Sequence, residues 1–261
     1  MKNKNEKLSE KEKLSISKCA KKLSQNFLIE ELISKEEALT QKEEELLVSR
    51  NDEALLKSYL SYDCISHATI EKIIKEHRTN LFEVYIVHHK LENYEEVTII
   101  DNEYIDLFNI YIKHRNFSIF AQHRLIKPEH AKLFDAYIKK HHLDPYIEMF
   151  LVQNKKYEII DKYLQTQALS EMPERELFKS EHREYFFKYI QNERLLPTNE
   201  PIFFTKFIDR YISLYCEEYF LCPASQFALL ALGKKSIFIK YHNQRRAHEE
   251  VQIVAKKLGW I

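Results

Sequence analysis

Glycine is nearly missing from this chain: Gly233 and Gly259 are the two in 261 residues. That scarcity excludes Gly-rich phosphate loops and a dinucleotide fingerprint, and it leaves few of the tight turns that hairpins use, so the chain reads as helical. Cysteine is sparse as well. Cys19, Cys64, Cys216 and Cys222 show no close pairing pattern, which argues against a disulfide framework, fits a reducing compartment such as the cytoplasm, and casts all four as small buried side chains. Neither sign of charge is in excess. Lys plus Arg and Asp plus Glu both total 40, so nothing global points to a polyanion or a membrane surface as partner. Long apolar runs are also lacking. None approaches the ~18 residues of a membrane span, and the Lys- and Glu-rich start, Met1 to Lys13, has no stretch of signal-peptide type. Abundant Lys and Asn beside scarce Gly is a composition associated with AT-rich bacterial genomes.

What the chain does have is a period. Leu81-Phe82-Glu83-Val84-Tyr85 returns as Leu107-Phe108-Asn109-Ile110-Tyr111 and as Leu133-Phe134-Asp135-Ala136-Tyr137. Tyr59, Tyr85, Tyr111, Tyr137, Tyr163 and Tyr189 keep the same 26-residue interval without drift, each followed by Leu or Ile. A fixed interval of this size marks a tandem array whose units cannot bury their apolar faces alone and are completed by their neighbours. We number columns from the first Leu of the signature. Columns one, two, five and six are apolar and share one helical stripe. Column twelve carries Ser66, Ser118, Asp144 and Ser170, preferred N-cap residues that announce a second helix, with Pro145 and Pro197 at its first position. Columns nineteen and twenty are its inward pair. Asn102, Pro128, Asn154 and Ser180 stand where they could start the next first helix.

The expected fold is therefore all-α: a right-handed-type α-solenoid of about seven to eight 26-residue two-helix repeats with irregular capping helices at both ends. First helices of about 14 and second helices of about 9 residues are too short to stand alone. Residues 1–25 read as a charged segment leading into a capping helix, 26–206 as tandem repeats, and 207–261 as irregular repeats with a basic cap. A degenerate signature begins at Leu28, which leaves an interval one position longer than the period before the next copy at Leu55. After Tyr189 the interval reads as broken, since Tyr211 follows too early and Tyr241 then too late. Phe227 to Leu232 reads as a well-buried helix.

The tyrosine column is expected to be structural, its rings filling the core while the hydroxyls reach a neighbouring repeat or solvent. His88, His89, His114, His141 and His142 lie at first-helix C-termini, where the helix dipole favours them, and are expected to form a solvated edge rather than a metal site. Glu92, Glu95, Glu96 and Glu174 are assigned to solvent faces. No catalytic constellation, cofactor loop or metal-ligand spacing is legible, so no catalytic residue, cofactor or metal is expected.

Column fourteen is the exception to this structural reading. Ala68, Tyr94, Phe120, Tyr146 and Met172 stand about 5.5 residues from the inward positions of the second helix, ~550° at about 100° per residue, and so point away from the core. Exposed aromatics in a row are what an interaction surface looks like. The expected function is a protein–protein interaction module or adaptor that binds a protein or peptide through Tyr94, Phe120, Tyr146 and Phe150, with His123 and Arg124 as polar neighbours. In a bacterium this suits an adaptor or a secreted effector acting in a host. The alternative is nucleic-acid binding through Lys234, Lys235, Arg245 and Arg246, in a C-terminal stretch where seven basic residues face Glu249 and Glu250. An enzyme whose site is assembled from distant residues is a third reading with nothing positive behind it.

Overall fold

The computed structural model describes Gln25 and residues 27–261. The expected N-terminal charged segment and its capping helix lie outside the described residues, apart from Gln25. Every regular element among the described residues is helical, and no helix there is long and apolar enough to cross a membrane. The chain divides into two compact units, the first ending at His141 and the second running from His142 to Ile261.

In the first unit, α1 (residues 27–34) precedes α2 (Gln41–Arg50), α3 (Glu53–Leu60), α4 (His67–Lys75), α5 (Thr79–His88), α6 (Asn93–Asp101), α7 (Ile105–His114), α8 (Ile119–Leu125) and α9 (Ala131–Ile138). Packing skips one helix at a time: α3 lies on α5, α5 on α7 and α7 on α9, while α2 lies on α4 and α6 on α8. The second unit comprises α10 (Pro145–Gln153), α11 (Tyr157–Leu164), α12 (Glu171–Glu176), α13 (Arg183–Asn192), α14 (Glu200–Lys206), α15 (Asp209–Glu218), α16 (Pro223–Ala231), α17 (Lys235–Asn243) and α18 (Glu249–Lys257). There α10 packs on α12, α14 on α16, α16 on α18, α13 on α15 and α15 on α17.

The apolar columns are the core. Leu81, Phe82 and Ile86 on α5, and Leu107, Phe108, Tyr111 and Ile112 on α7, are buried, as are Ile99 and Ile100 on α6. The first helices run to 8–10 residues in α3, α5, α7, α9, α11 and α13. They are shorter than expected because the chain turns extended or irregular within columns seven to nine, as at His89, Arg115 and Glu193. Asn102 and Asn154 end second helices instead of starting first ones: each side-chain amide donates back to the carbonyl one turn earlier. Pro128 and Ser180 open short 3-10 turns ending at His130 and His182. Pro145 does occupy the first position of α10, but Pro197 sits in a turn and α14 begins at Glu200.

Two register expectations are corrected. At the N-terminal side the 26-residue interval holds, and the signature starts at Ile29 rather than Leu28: Ile29 and Ile33 are buried, Leu28 is exposed, and Ile33 takes the place of Tyr59. At the C-terminal side the interval continues. Tyr215 and Tyr241, one and two periods after Tyr189, are buried on α15 and α17. The Tyr215 hydroxyl accepts from Leu195 N and that of Tyr241 from Leu221 N, each 20 residues earlier, as Tyr163 accepts from Leu143 N and Tyr59 from Leu39 N. The α16 helix is only half covered, since Phe227 and Leu232 stay exposed while Leu229 and Leu230 are buried.

A polar column runs through this core that the solvent-face assignment missed. Glu44, Glu96, Glu148, Glu174, Glu200 and Gln226 stand at column sixteen and are all buried, as is the neighbouring Glu95. The glutamates at 96, 148, 174 and 200 each take the hydroxyl of the tyrosine 15 residues later, at 2.5, 2.8, 2.8 and 3.0 Å. Residues 44, 96, 148, 174 and 226 also accept the backbone N–H 22 residues later, which opens the next second helix or its leading turn. One side chain thus satisfies an orphan amide at a later helix start, and these buried oxygens take hydrogen bonds from the protein in place of water, except Glu200 Oε2, which has no partner. The Ser66 hydroxyl turns to Glu44 at 2.5 Å instead of capping α4, whereas that of Ser118 both donates to Glu96 and accepts from Ala121 N.

The two glycines belong to another column. Gly233 and Gly259 have φ of +69° and +68° at column twenty-three, where Asn51, His77, Glu103 and Lys155 also have positive φ. This is the left-handed residue after a second helix, a position for which glycine carries no Cβ penalty.

Candidate functional site

The column-fourteen side chains are exposed where the sequence places them. Tyr94 on α6 is 46% exposed and Phe120 on α8 is 58% exposed, on two helices of the first unit that pack against each other. Their neighbours in sequence, Glu95 and Ala121, are buried, so the helix axis divides core from surface within one residue. Ile119 adds to the exposed apolar area beside Phe120.

Tyr94 is held in place rather than loosely displayed. Its hydroxyl donates to Glu95 Oε1 at 3.1 Å, the same oxygen lies 3.3 Å from His67 Nδ1, and the His67 and Tyr94 rings meet edge-on at 6.0 Å. Glu95 Oε2 in turn accepts from Glu92 N at 2.8 Å, closing the N-terminus of α6. Partial burial of the phenol, with the Glu95 carboxylate beside it, pushes the Tyr94 hydroxyl up to about 12. His123 is exposed next to Phe120, and Arg124 is half-buried with Nη2 3.7 Å from Asp101 Oδ2.

A cleft of about 510 Å³ adjoins this face. His67 and Glu92 line it together with Tyr59, Asp63, Cys64, Tyr85 and His89. It borders Tyr85, beside which the buried polar column is interrupted. Position 70 holds Ile where its counterparts are Glu or Gln, so Tyr85 lacks the carboxylate that Tyr111, Tyr163, Tyr189 and Tyr215 find on the preceding helix, and it borders open space. Cys64 is exposed here, contrary to the expectation of a buried thiol. The sequence shows the missing carboxylate as the one apolar member of column sixteen, but not the cleft.

In the second unit the same column places Tyr146 on α10 and Met172 on α12, which pack together, with exposures of 76% and 58%. Phe150 is half-buried.

The C-terminal basic residues are mostly engaged inside the unit. Lys234 Nζ lies 2.6 Å from Asp209 Oδ1, and Lys235 Nζ donates to the Gly259 carbonyl at 3.3 Å. Arg246 donates to the Cys216 and Glu217 carbonyls at 3.2 and 2.7 Å and lies over the Phe220 ring at 4.6 Å. Arg245 is exposed, in the left-handed region. The same capping role is filled by Arg115 on Ile86 and Val87, and by His141 on Ile112. The edge histidines therefore serve separate local partners, with His114 on Glu83 at 3.0 Å and His89 stacked on Tyr85.

The chain matches no protein-family model, and neither a curated protein nor a solved structure matches it.

Proposed function

We propose that the protein is a non-enzymatic interaction module in which each unit stacks 26-residue helix pairs as a segment of α-solenoid and offers the outer faces of its second helices to a protein or peptide. The observation that carries this reading is the exposure of Tyr94 and Phe120 at equivalent positions of the packed helices α6 and α8. Aromatic side chains fixed on rigid helices bind with little loss of rotamer entropy, and they are the usual anchors of interface energy. His67, His123 and Arg124 supply a polar rim around them. Such a protein acts as an adaptor in the cytoplasm, or as an effector inside a host cell if it is delivered there.

The test is binding by the full chain with Tyr94→Ala and Phe120→Ala combined. Partner capture is expected to fall at least ~10-fold, the effect of losing a hot spot, with the circular-dichroism spectrum unchanged. Tyr146→Ala with Met172→Ala asks the same of the second unit. Full retention of a partner by both double variants would refute this face as the binding surface. The nucleic-acid reading is supported less, because Lys234, Lys235 and Arg246 already have intramolecular partners.

A further inference from the structure

Among the described residues, one group of His, Cys, Asp and Glu ligand atoms converges: Glu176, Glu181 and His182, one atom of each within 4.8 Å of the others. Glu176 ends α12, and Glu181 and His182 belong to the 3-10 turn that leads into α13. The imidazole is the informative member. Its side chain is fully buried, its Nδ1 meets the Tyr157 hydroxyl at 2.8 Å, and its Nε2 has no hydrogen-bond partner while lying 3.4 Å from Glu181 Oε1. A buried ring nitrogen left without a partner is an uncompensated loss of solvation unless something else occupies its lone pair.

We propose that Glu176, Glu181 and His182 form a binding site for a divalent cation of the zinc class, with His182 Nε2 and one oxygen from each carboxylate as ligands. One imidazole with two carboxylates suits Zn²⁺ or Co²⁺, and a water completes four-coordination. At metal–ligand bonds of ~2.1 Å, tetrahedral ligand atoms stand ~3.4 Å apart, the spacing already present between His182 Nε2 and Glu181 Oε1. Glu181 is largely exposed and free to adjust. The Tyr157 contact fixes the ring orientation, with Nδ1–H donating to the phenol oxygen and Nε2 left as the electron-pair donor, the arrangement that supports a metal-bound histidine. Lys179 Nζ sits 2.5 Å from Glu176 Oε1 and is the competitor that a cation must displace. A second turn of the same form, Lys127-Pro128-Glu129-His130, lies two periods earlier, but Arg124 stands there in the place of Glu176, so the arrangement is specific to the later turn.

The experiment is calorimetric titration of the metal-stripped full chain with Zn²⁺, repeated with Co²⁺ while recording its visible absorption. The wild type is expected to take up one ion that is lost in the Glu176→Gln, Glu181→Gln double variant, both changes being isosteric and outside the apolar core. Tyr157→Phe, which keeps the ring but not the hydroxyl, should weaken binding ~10-fold as a lost orienting contact does. Lys179→Ala should tighten it. No uptake by the wild type, or uptake unchanged in the double variant and therefore owed to other surface histidines, would overturn the proposal.

Discussion

The Tyr163 hydroxyl donates to Glu148 Oε1 at 2.8 Å while accepting from Leu143 N, and Glu148 Oε2 accepts from Ser170 N at 2.7 Å. Through this pair, a first helix, the second helix before it and the start of the second helix after it are tied by directional bonds inside an apolar stack. Because the bonds are buried, losing one leaves its partners short of a full set.

Tyr163→Phe keeps the ring and removes the hydroxyl's bonds to Leu143 N and Glu148 Oε1. The expected loss is about 1–3 kcal/mol, the penalty for stranding a buried amide and weakening a carboxylate contact. Urea denaturation of the second unit's transition measures it; a midpoint within error of the wild type would show that the hydroxyl contributes nothing.

Burial holds the Glu148 and Glu174 carboxyls above their ordinary value of 4.5, outweighing the hydrogen bonds that pull them down. Between 4.5 and their folded values the native chain keeps protons that the unfolded chain has released, so these two groups lower stability as pH rises through that window, and their full stabilising contribution is present below 4.5. Glu148→Gln removes one such group and is structurally acceptable, because Gln226 already fills the equivalent place by accepting from His248 N and donating to the Leu221 carbonyl. The variant should gain on the wild type as pH rises from 4.5 toward neutrality, because it no longer carries the buried carboxyl whose proton is held above the ordinary value. Melting curves that stay parallel across that range would contradict it.

At column twenty-three the backbone, not the space around it, sets the outcome. A Cβ at Gly233 meets nothing within 4 Å, yet φ is +69°. Gly233→Ala should therefore destabilise by about 1 kcal/mol, and Lys155→Gly, at φ +54° in the same column, should stabilise by a similar amount. Opposite shifts in melting temperature are the expected result, and two shifts of the same sign would count against a conformational origin.

The thiols separate by environment. Cys216 is buried on α15, and burial pushes it up to about 12, whereas Cys64 is exposed at the cleft mouth. Iodoacetamide at pH ~8 under native conditions should label Cys64 at least ~10-fold faster than Cys216, because reaction needs an accessible thiolate. Peptide mass mapping over time gives the two rates.

Much of this was present in the sequence as spacing. The tyrosines from Tyr59 to Tyr241, the glycines at 233 and 259 and the glutamates from Glu44 to Glu200 all sit on one 26-residue grid. The tyrosine column is legible because an apolar ring at helical spacing signals a core; the glutamate column, equally regular, reads as surface because a carboxylate is normally solvated. Burial of Glu96 and Glu174 follows only from the positions of Ser118 N and Leu196 N, which lie 22 residues further along the chain and become donors when the helices pack. Likewise, spacing puts Tyr94 and Phe120 on the outward side of their helices, but their exposure depends on no neighbouring element covering that side. The sequence by itself determined the period, the helical class and which side of each helix faces inward, since these depend on local geometry and apolar pattern. Only the tertiary structure decided which polar groups find partners: the cleft beside Tyr85, the occupied Arg246 and the unpartnered His182 Nε2 each depend on atoms brought together from separate helices and turns.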